Sequence, residues 1–320
     1  MNIAIDMMGG DYAPEEAVKG IGLYAASTPS PASLTLIGDE SRIRNLLQTH
    51  PAPGLPYKII PTHEVIGMHE HPTRALKEKL DSSIASGFRL LASGETDAFI
   101  SAGNTGAMLV GSLFSIKAIE GVSRPTIGAY MPRENGKLGL LLDVGINADC
   151  KPENLLQFAV LGSLYARHIL EIPEPRVGLV NIGEEEGKGN LLAQATYPLL
   201  KENPLIRFVG NIEGRDILID KADVLVCEGF TGNVVLKMAE SVYDIVRRRN
   251  IHDEHFDRFN FERYGGVPVL GVTKPVIIGH GISHATAFAN MVGKAEKMIQ
   301  TGLTGKIAEC FSATNTSESK

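Results

Sequence analysis

Several features are scarce in this sequence, and each scarcity narrows the field. The 320 residues contain three cysteines, Cys150, Cys227 and Cys310. Their spacing fits neither a disulfide framework nor a zinc site. No apolar run approaches the ~20 residues needed to cross a bilayer. The opening MNIAIDMMGGD lacks a basic segment followed by a long apolar stretch, so no signal peptide is expected. Positive charge is in deficit: the formal net charge is −6, which disfavours a general nucleic-acid binder. No Gly-Lys-Ser/Thr ending marks a Walker A loop. No G-x-S-x-G elbow marks a serine nucleophile, and no G-x-G-x-x-G closes a strand. The expectation is a soluble protein of a reducing compartment, most simply the cytoplasm, with contact at a membrane surface left open.

What is present is a sizeable core. Hydrophobic residues make up 43% and charged ones 21%, enough for one large α/β domain or two smaller lobes around a cleft. Short apolar runs alternate with helix-like segments. NIAID, LTLIG, YKIIP, DAFIS, LGLLLDVG, VGLVNIG, IRFVGN, DVLVCEG and PVIIG all have the character of strands, several continuously apolar as in strands covered on both faces. The alternation predicts βα units and a mostly parallel sheet. A single catalytic domain is expected over residues 1–311, with SATNTSESK at 312–320 a frayed tail.

The strand ends share a style. DMMGGD, SAGNTG, DVGIN, NIGEEEGKGN, GNIEG and EGFTGN combine glycine with Asn, Asp, Glu or Thr. Such residues make tight turns on their own account. In open α/β sheets, however, ligands sit beyond the carboxyl ends of the strands, and six loops of one style are candidates for one site. DAFISAGNTGAMLV and DVLVCEGFTGNVVL also echo each other, each running strand, polar turn with Thr-Gly, then helix.

SAGNTG carries the clearest chemistry. A helix starting there presents unpaired N–H groups to the loop, and its dipole favours an anion. Gly103 and Gly106 admit close backbone approach, while Ser101, Asn104 and Thr105 add donors. The same residues suit a plain helix cap on Asn104 or Thr105. In EGFTGNVVLKMAESVYDIVRRR, residues Thr231, Gly232 and Asn233 mark a helix start. Val235, Met238, Ala239, Val242 and Val246 share one helical face, opposite Lys237, Glu240, Asp244 and Arg248. Arg247, Arg248 and Arg249 suit the negative end of that helix or an acidic partner.

Lys188, between glycines, could reach a phosphate as a point charge. Glu184, Glu185 and Glu186 are consecutive, so they cannot easily face one ion. His69 and His71 form a His-x-His pair in a charged loop, more in keeping with solvated surface than with a metal. His280 follows an apolar strand and could orient a phosphate, move a proton or make a structural hydrogen bond. Arg74, Lys77 and Lys79 form a basic patch or a solvated helix face. Cys227 follows a strand without a context that lowers its pKa.

Taken in order, DMMGGDYAP, ISAGNTGA, LLLDVGINADCKPE, PRVGLVNIG…KGN, GNIEGRD, EGFTGN and YGG resemble the phosphate acyltransferase family of bacterial phospholipid synthesis, the PlsX type. The resemblance runs from residue 2 to about residue 300. It implies an α/β/α sandwich with a mostly parallel sheet, similar to phosphotransacetylases and isocitrate-type dehydrogenases, in a homodimer. It implies transfer of a long-chain acyl group from acyl-[acyl-carrier-protein] to inorganic phosphate, with no cofactor or metal. The acyl phosphate would feed a membrane glycerol-3-phosphate acyltransferase. The site residues it implies are Asn104, Thr105, Lys188, Asn233 and His280 for catalysis. Substrate binding would fall to Asp6, Gly9, Gly10, Asp11, Ser101, Gly103, Gly106, Asp143, Asn147, Asn181, Glu213, Glu228, Thr231 and Gly232, and carrier-protein docking to Arg247, Arg248 and Arg249. This chain has Glu228 where Asp is expected and Ile146 where Ala is common. A short NIHDEHFDRFNFER replaces a longer amphipathic hairpin. The competing readings are a short-chain phosphotransacetylase of the same fold, using acyl-coenzyme A, and a non-catalytic phosphate- or acyl-binding scaffold.

Overall fold

The computed structural model describes residues 1–317, with side chains described through residue 313. In chain order the strands are β1 (Asn2–Asp6), β2 (Ser33–Gly38), β3 (Tyr57–Pro61), β4 (Ala98–Ser101), β5 (Thr126–Pro132), β6 (Leu138–Leu142), β7 (Arg176–Asn181), β8 (Arg207–Glu213), β9 (Val224–Val226), β10 (Val267–Leu270) and β11 (Val276–Ile278). The helices are α1 (Glu15–Ser27), α2 (Glu40–Thr49), α3 (Pro72–Glu78), α4 (Ser83–Ser93), α5 (Thr105–Gly111), α6 (Pro152–His168), α7 (Leu191–Glu202), α8 (Gly229–Arg248), α9 (Glu254–Asp257), α10 (Ala285–Gln300) and α11 (Leu303–Ser317). Helix α11 takes in most of the segment expected to fray at 312–320, and residues 318–320 lie outside the described residues.

The chain divides into two compact units, Met1–Ile119 with Phe261–Thr304 and Glu120–Asn260 with Gly305–Lys320. In the first unit, β3, β2, β1, β4 and β11 run parallel in that order, and β10 pairs antiparallel with β11. Ile5 sits opposite Leu36 on one side and Ile100 on the other, and Ile100 opposite Ile277. All four are fully buried, which is why these strands read as unbroken apolar runs. Helix α10 packs on α1, and α4 on β1.

In the second unit, β6, β9, β7 and β8 are parallel in that order, and β5 joins β6 as an antiparallel neighbour. Asn135 and Gly136 turn the β5–β6 hairpin, with Gly136 at φ +81°, a conformation that glycine adopts without strain. At the amino ends of these strands Arg133, fully buried, bonds Asp220 and Asp223 at 2.7 Å each. Arg176 holds the same two carboxylates. Burial alone would raise the Asp223 pKa, but the two guanidiniums hold it below the usual carboxylate value. This ion-paired end anchors the sheet; the loops of interest leave from the other end.

The strands that the apolar runs did not announce are β5 and β10, the antiparallel ones. TIGAYMP and VPVL carry Gly or Pro inside the run, which weakens a strand pattern. The Asn-Gly dipeptide between β5 and β6 is the signal that marks that hairpin.

Helix α8 differs from expectation in its packing. Of the face holding Val235, Met238, Ala239, Val242 and Val246, only Val246 is buried, while Met238 and Val242 are exposed and Val235 and Ala239 are half-buried. Phe230, Val234 and Ile245 are exposed as well.

Candidate active site

In the first unit the flagged loops gather where β1, β4 and β11 end. Asp6, the last residue of β1, is 1% exposed. Its Oδ2 accepts from Ser101 Oγ at 2.6 Å and its Oδ1 from Met8 N at 2.9 Å. Ser83, at the first position of α4, bonds the same carboxyl. Burial pushes the Asp6 pKa above the ordinary carboxylate value, against the Ser101 and Ser83 bonds that favour the charged form. Ser101 Oγ in turn accepts from Gly103 N at 2.9 Å. Gly9 fits because a Cβ there would stand 2.5 Å from Asp6 Oδ2 and 2.6 Å from Gly103 N. The Gly10 turn passes to Asp11, whose backbone N donates to Gly281 O at 2.7 Å. Asp6, Gly9, Gly10, Asp11, Ser101 and Gly103 thus form one braced corner.

Asn104, expected to reach a ligand, is spent within the chain. Its Oδ1 caps α5 by accepting from Ala107 N at 2.9 Å. Its Nδ2 donates to Gly67 O at 2.9 Å and Glu70 O at 3.0 Å. It is a cap and an anchor for the 67–70 loop. Thr105 opens α5 and is exposed. Gly106 lies against the ring of Pro72, which a Cβ would meet at 2.3 Å. His280 follows β11 with its ring 4.4 Å from that of Phe261. The basic patch is partly neutralised, Arg74 by Glu78 and Lys79 by Glu70. His69 and His71 are exposed.

In the second unit the site grows from Asp143, which follows β6 and is fully buried. Its Oδ1 accepts from Gly145 N at 2.7 Å and Ile146 N at 2.8 Å. Its Oδ2 accepts from Asn147 Nδ2 at 2.7 Å and Thr126 Oγ1 at 2.9 Å. Four donors leave the carboxylate no capacity for a ligand, so Asp143 shapes the turn. Asn147 Nδ2 also donates to Pro125 O at 2.9 Å. Gly232 rests on this turn so closely that a Cβ would stand 1.8 Å from Asp143 O. Asn233 Nδ2 donates to Val144 O at 3.2 Å.

Helix α8 begins at Gly229, two residues before the predicted start at Thr231, with Glu228 as its cap. Glu228 Oε1 accepts from Thr231 N at 3.1 Å and Thr231 Oγ1 at 2.6 Å. A carboxylate therefore already serves the positive end of α8. This also resolves the sequence echo. Thr-Gly follows the cap directly in α5 but falls in the first turn of α8, two residues further on, so the like-sounding turns place their threonines differently.

Asn181 ends β7. Its Nδ2 donates to Lys188 O and Asn211 Oδ1, both at 3.1 Å, which folds the 183–189 loop back over the strand. Lys188 itself is half exposed, its ammonium 4.0 Å from Glu185. Glu184 and Glu186 turn away to Lys221 and Lys201. Among the described residues no group of three or more His, Cys, Asp and Glu is placed to hold a metal ion. Glu213, at the end of β8, pairs with Arg215 at 2.7 Å. Arg247 lies over the Tyr243 ring, and Arg247, Arg248 and Arg249 are all exposed.

Asn181, Glu228 and Thr231 line a cavity of ≈ 400 Å3 together with Leu155, Leu179, Ile182 and Cys227. Asn190 and Leu192 also line it, and they share with Glu228 a second cavity of ≈ 540 Å3 that includes Cys150. Burial pushes the Cys227 thiol well up and that of Cys150 to about 11. Neither offers a thiolate near neutrality. Sequence reasoning missed Ser83, Thr126, Asn190 and Ile182. Asn190 had a signal, an Asn placed as an N-cap before an apolar helix; it accepts from Ala193 N at 2.8 Å.

This architecture is that of the phosphotransacetylases. A phosphotransacetylase from Streptococcus pyogenes superposes with a TM-score of 0.66 at 19% identity, over 94% of each chain. The EutD phosphotransacetylase from Staphylococcus aureus does so at 0.60 and 16%, covering 93% of this chain and 94% of that one. Sequence relatives are more specific. The family model described as "Fatty acid synthesis protein" matches residues 1–257 and 248–306. A phosphate acyltransferase of Dictyoglomus turgidum is 42% identical over 97% of both chains, and one of Desulforamulus reducens is likewise 42% identical over 97% of both. The chain belongs to the phosphate acyltransferase family, and it is an acyltransferase enzyme.

Proposed function

We propose that the enzyme transfers a long-chain acyl group from acyl-[acyl-carrier-protein] to inorganic phosphate, supplying acyl phosphate for phosphatidic acid synthesis. One observation carries the reading. The cavity lined by Asn181, Glu228 and Thr231 reaches Gly189, next to the glycine-flanked Lys188, and burial pushes up the thiol of Cys227, the cysteine that lines it. Phosphate can itself be the nucleophile. A phosphate oxygen attacks the thioester carbonyl, the C–S bond breaks, and the thiolate leaves and takes up a proton from solvent. A thiolate leaves readily, so the main demand is stabilisation of the developing oxyanion.

Lys188 is proposed to meet the phosphate as a point charge and Asn233, whose Nδ2 has one hydrogen beyond its bond to Val144 O, to polarise the carbonyl, while Thr231 lines the cavity with its hydroxyl donated to Glu228. Asp143, Asn147 and Gly232 hold that turn in place. In the first unit, Thr105 is the exposed side chain of the 101–106 turn, and Asp6, Gly9, Gly10, Asp11, Ser101 and Gly103 brace it. His280 is a proposed phosphate-orienting group. Glu213, held by Arg215, supports the loop after β8 rather than the ligand. Exposed Arg247, Arg248 and Arg249 suit docking of an acidic carrier protein. Reversing all three charges should raise KM for the carrier protein without changing KM for phosphate.

A homodimer fits the uncovered stripe of Val234, Met238, Val242 and Ile245 on α8. No helix among the described residues is long and apolar enough to cross a membrane. We place the enzyme in the cytoplasm, with the inner membrane face as the place where acyl phosphate passes to a glycerol-3-phosphate acyltransferase. The deciding experiment is mass spectrometry after mixing enzyme, phosphate and palmitoyl-carrier protein. Acyl phosphate is expected. Turnover of acetyl-coenzyme A alone would make the enzyme a short-chain phosphotransacetylase, and binding without turnover would make it a scaffold.

A further inference from the structure

Leu191 and Ile182 are the most exposed large apolar side chains described, at 85% and 81%, and Phe230 is 67% exposed. All three lie on the rim of one groove. Ile182 lines the ≈ 400 Å3 chamber, and Leu191 and Phe230 line the ≈ 540 Å3 chamber; Asn190, Leu192 and Glu228 belong to both. Single exposed apolar residues need no explanation, but a cluster around a concavity marks a binding site.

The positions are set by polar hydrogen bonds, not by apolar packing. Ile182 N donates to Asn181 Oδ1 at 2.8 Å. Leu191 follows the Asn190 cap of α7, and Phe230 is the second residue of α8 behind the Glu228 cap. Two helix caps and the Asn181 side chain at the end of β7 thus hold three apolar side chains out toward solvent. Deeper in, the wall is Leu155, Leu179, Leu192 and Ala193, with the polar groups Asn181, Asn190, Glu228 and Thr231 beside it.

Charge selects the occupant. Asp149 and Glu228 both line the second chamber, which disfavours an anionic protein surface there and leaves room for the uncharged part of a substrate. We infer that the groove holds the aliphatic chain of the acyl group, and that Ile182, Leu191 and Phe230 determine the chain length accepted. The inference rests on the acyl-transfer reading above. The polar wall takes the thioester end, and the apolar rim desolvates the chain.

The test is a chain-length series with intact enzyme. Ile182→Ala, Leu191→Ala and Phe230→Ala are compared with wild type on palmitoyl- and butyryl-carrier protein at saturating phosphate. Each side chain is exposed, so the folded structure does not depend on it. The ratio of kcat/KM for palmitoyl over butyryl should fall about tenfold per substitution, the scale of removing apolar contacts from a pocket. Leu80→Ala, equally exposed but in the first unit, should leave the ratio unchanged. An unchanged ratio in the three groove variants overturns the assignment. So does a change of oligomeric mass in light scattering with no change of ratio, which would give these side chains to a second copy of the chain. If wild type transfers neither acyl group, the acyl-transfer reading itself fails, a result distinct from the other two.

Discussion

Ser101 Oγ donates to Asp6 Oδ2 at 2.6 Å, joining the carboxyl ends of β4 and β1 inside the first unit. The acceptor is a carboxyl group whose pKa burial has raised. A raised folded pKa means that ionisation costs more in the folded chain than in the unfolded one. The stability tied to Asp6 is therefore complete below about pH 3.8 and declines as pH rises through its folded pKa. Asp6→Asn removes this titration. The melting temperature of the variant relative to wild type should rise with pH above ~4, where unfolded aspartates ionise. Parallel melting curves across pH by scanning fluorimetry would show that Asp6 does not titrate differently on folding.

Gly232 leaves no room for a methyl group, since a Cβ would lie 1.8 Å from the Asp143 carbonyl oxygen. The obstacle is backbone on a turn fixed by four hydrogen bonds to one carboxylate, so it cannot move aside cheaply. Gly232→Ala should cost about 3 kcal/mol or more, the upper end for overpacking. Acyl transfer should fall with it. Urea denaturation measures the first and initial rates the second.

Lys188 is half exposed and only loosely paired, 4.0 Å from Glu185. Lys188→Ala should leave stability within ~0.5 kcal/mol, as for most surface changes. If the ammonium meets phosphate, KM for phosphate should rise about tenfold, equal to roughly 1.4 kcal/mol. Initial rates over a phosphate series decide this. An unchanged KM removes Lys188 from the site.

Lys294, on α10, keeps part of its surface exposed, but its ammonium is buried against Gly266 O. Burial lowers its pKa from the usual 10.5 to about 7. With a depressed folded pKa, its contribution to stability is complete above the unfolded value and is lost as pH falls toward about 7. Lys294→Met should therefore be most favourable relative to wild type at pH 7. That advantage should shrink by a few kcal/mol toward pH 10, at about 1.36 kcal/mol per pH unit. Chemical denaturation at pH 7, 8.5 and 10 gives the slope.

The parallel part of both sheets was legible because buried parallel strands leave unbroken apolar runs such as NIAID and LGLLL. The antiparallel neighbours β5 and β10 were not, because glycine and proline interrupt their runs. Most loops rich in Gly and Asn proved to follow strand ends, as in open α/β sheets, but residues 210–213 of GNIEG lie within β8 itself. Which side chain faces a ligand was not legible, since that depends on where spare hydrogen-bonding capacity remains. Asn104 and Asp143 look like ligand groups in sequence, yet their donors and acceptors are taken up by the chain. The α8 stripe misled in the opposite direction. Its 3.6-residue period is real, but periodicity shows only that a face is apolar, not that this chain covers it.

The first unit is discontinuous, and this matters while the protein is being made. Strand β4 emerges early, with Phe99 and Ile100 destined for full burial, but its second neighbour β11 is encoded only at Val276–Ile278. The whole of residues 120–260 leaves the ribosome in between, on the order of 10 s of translation at ~5–20 residues per second. Through that interval the nascent chain carries an open apolar strand edge, a template for wrong pairing. Translation halted anywhere between residues 120 and 275 would leave that edge permanently open, and such fragments should be far more prone to aggregate than the finished enzyme.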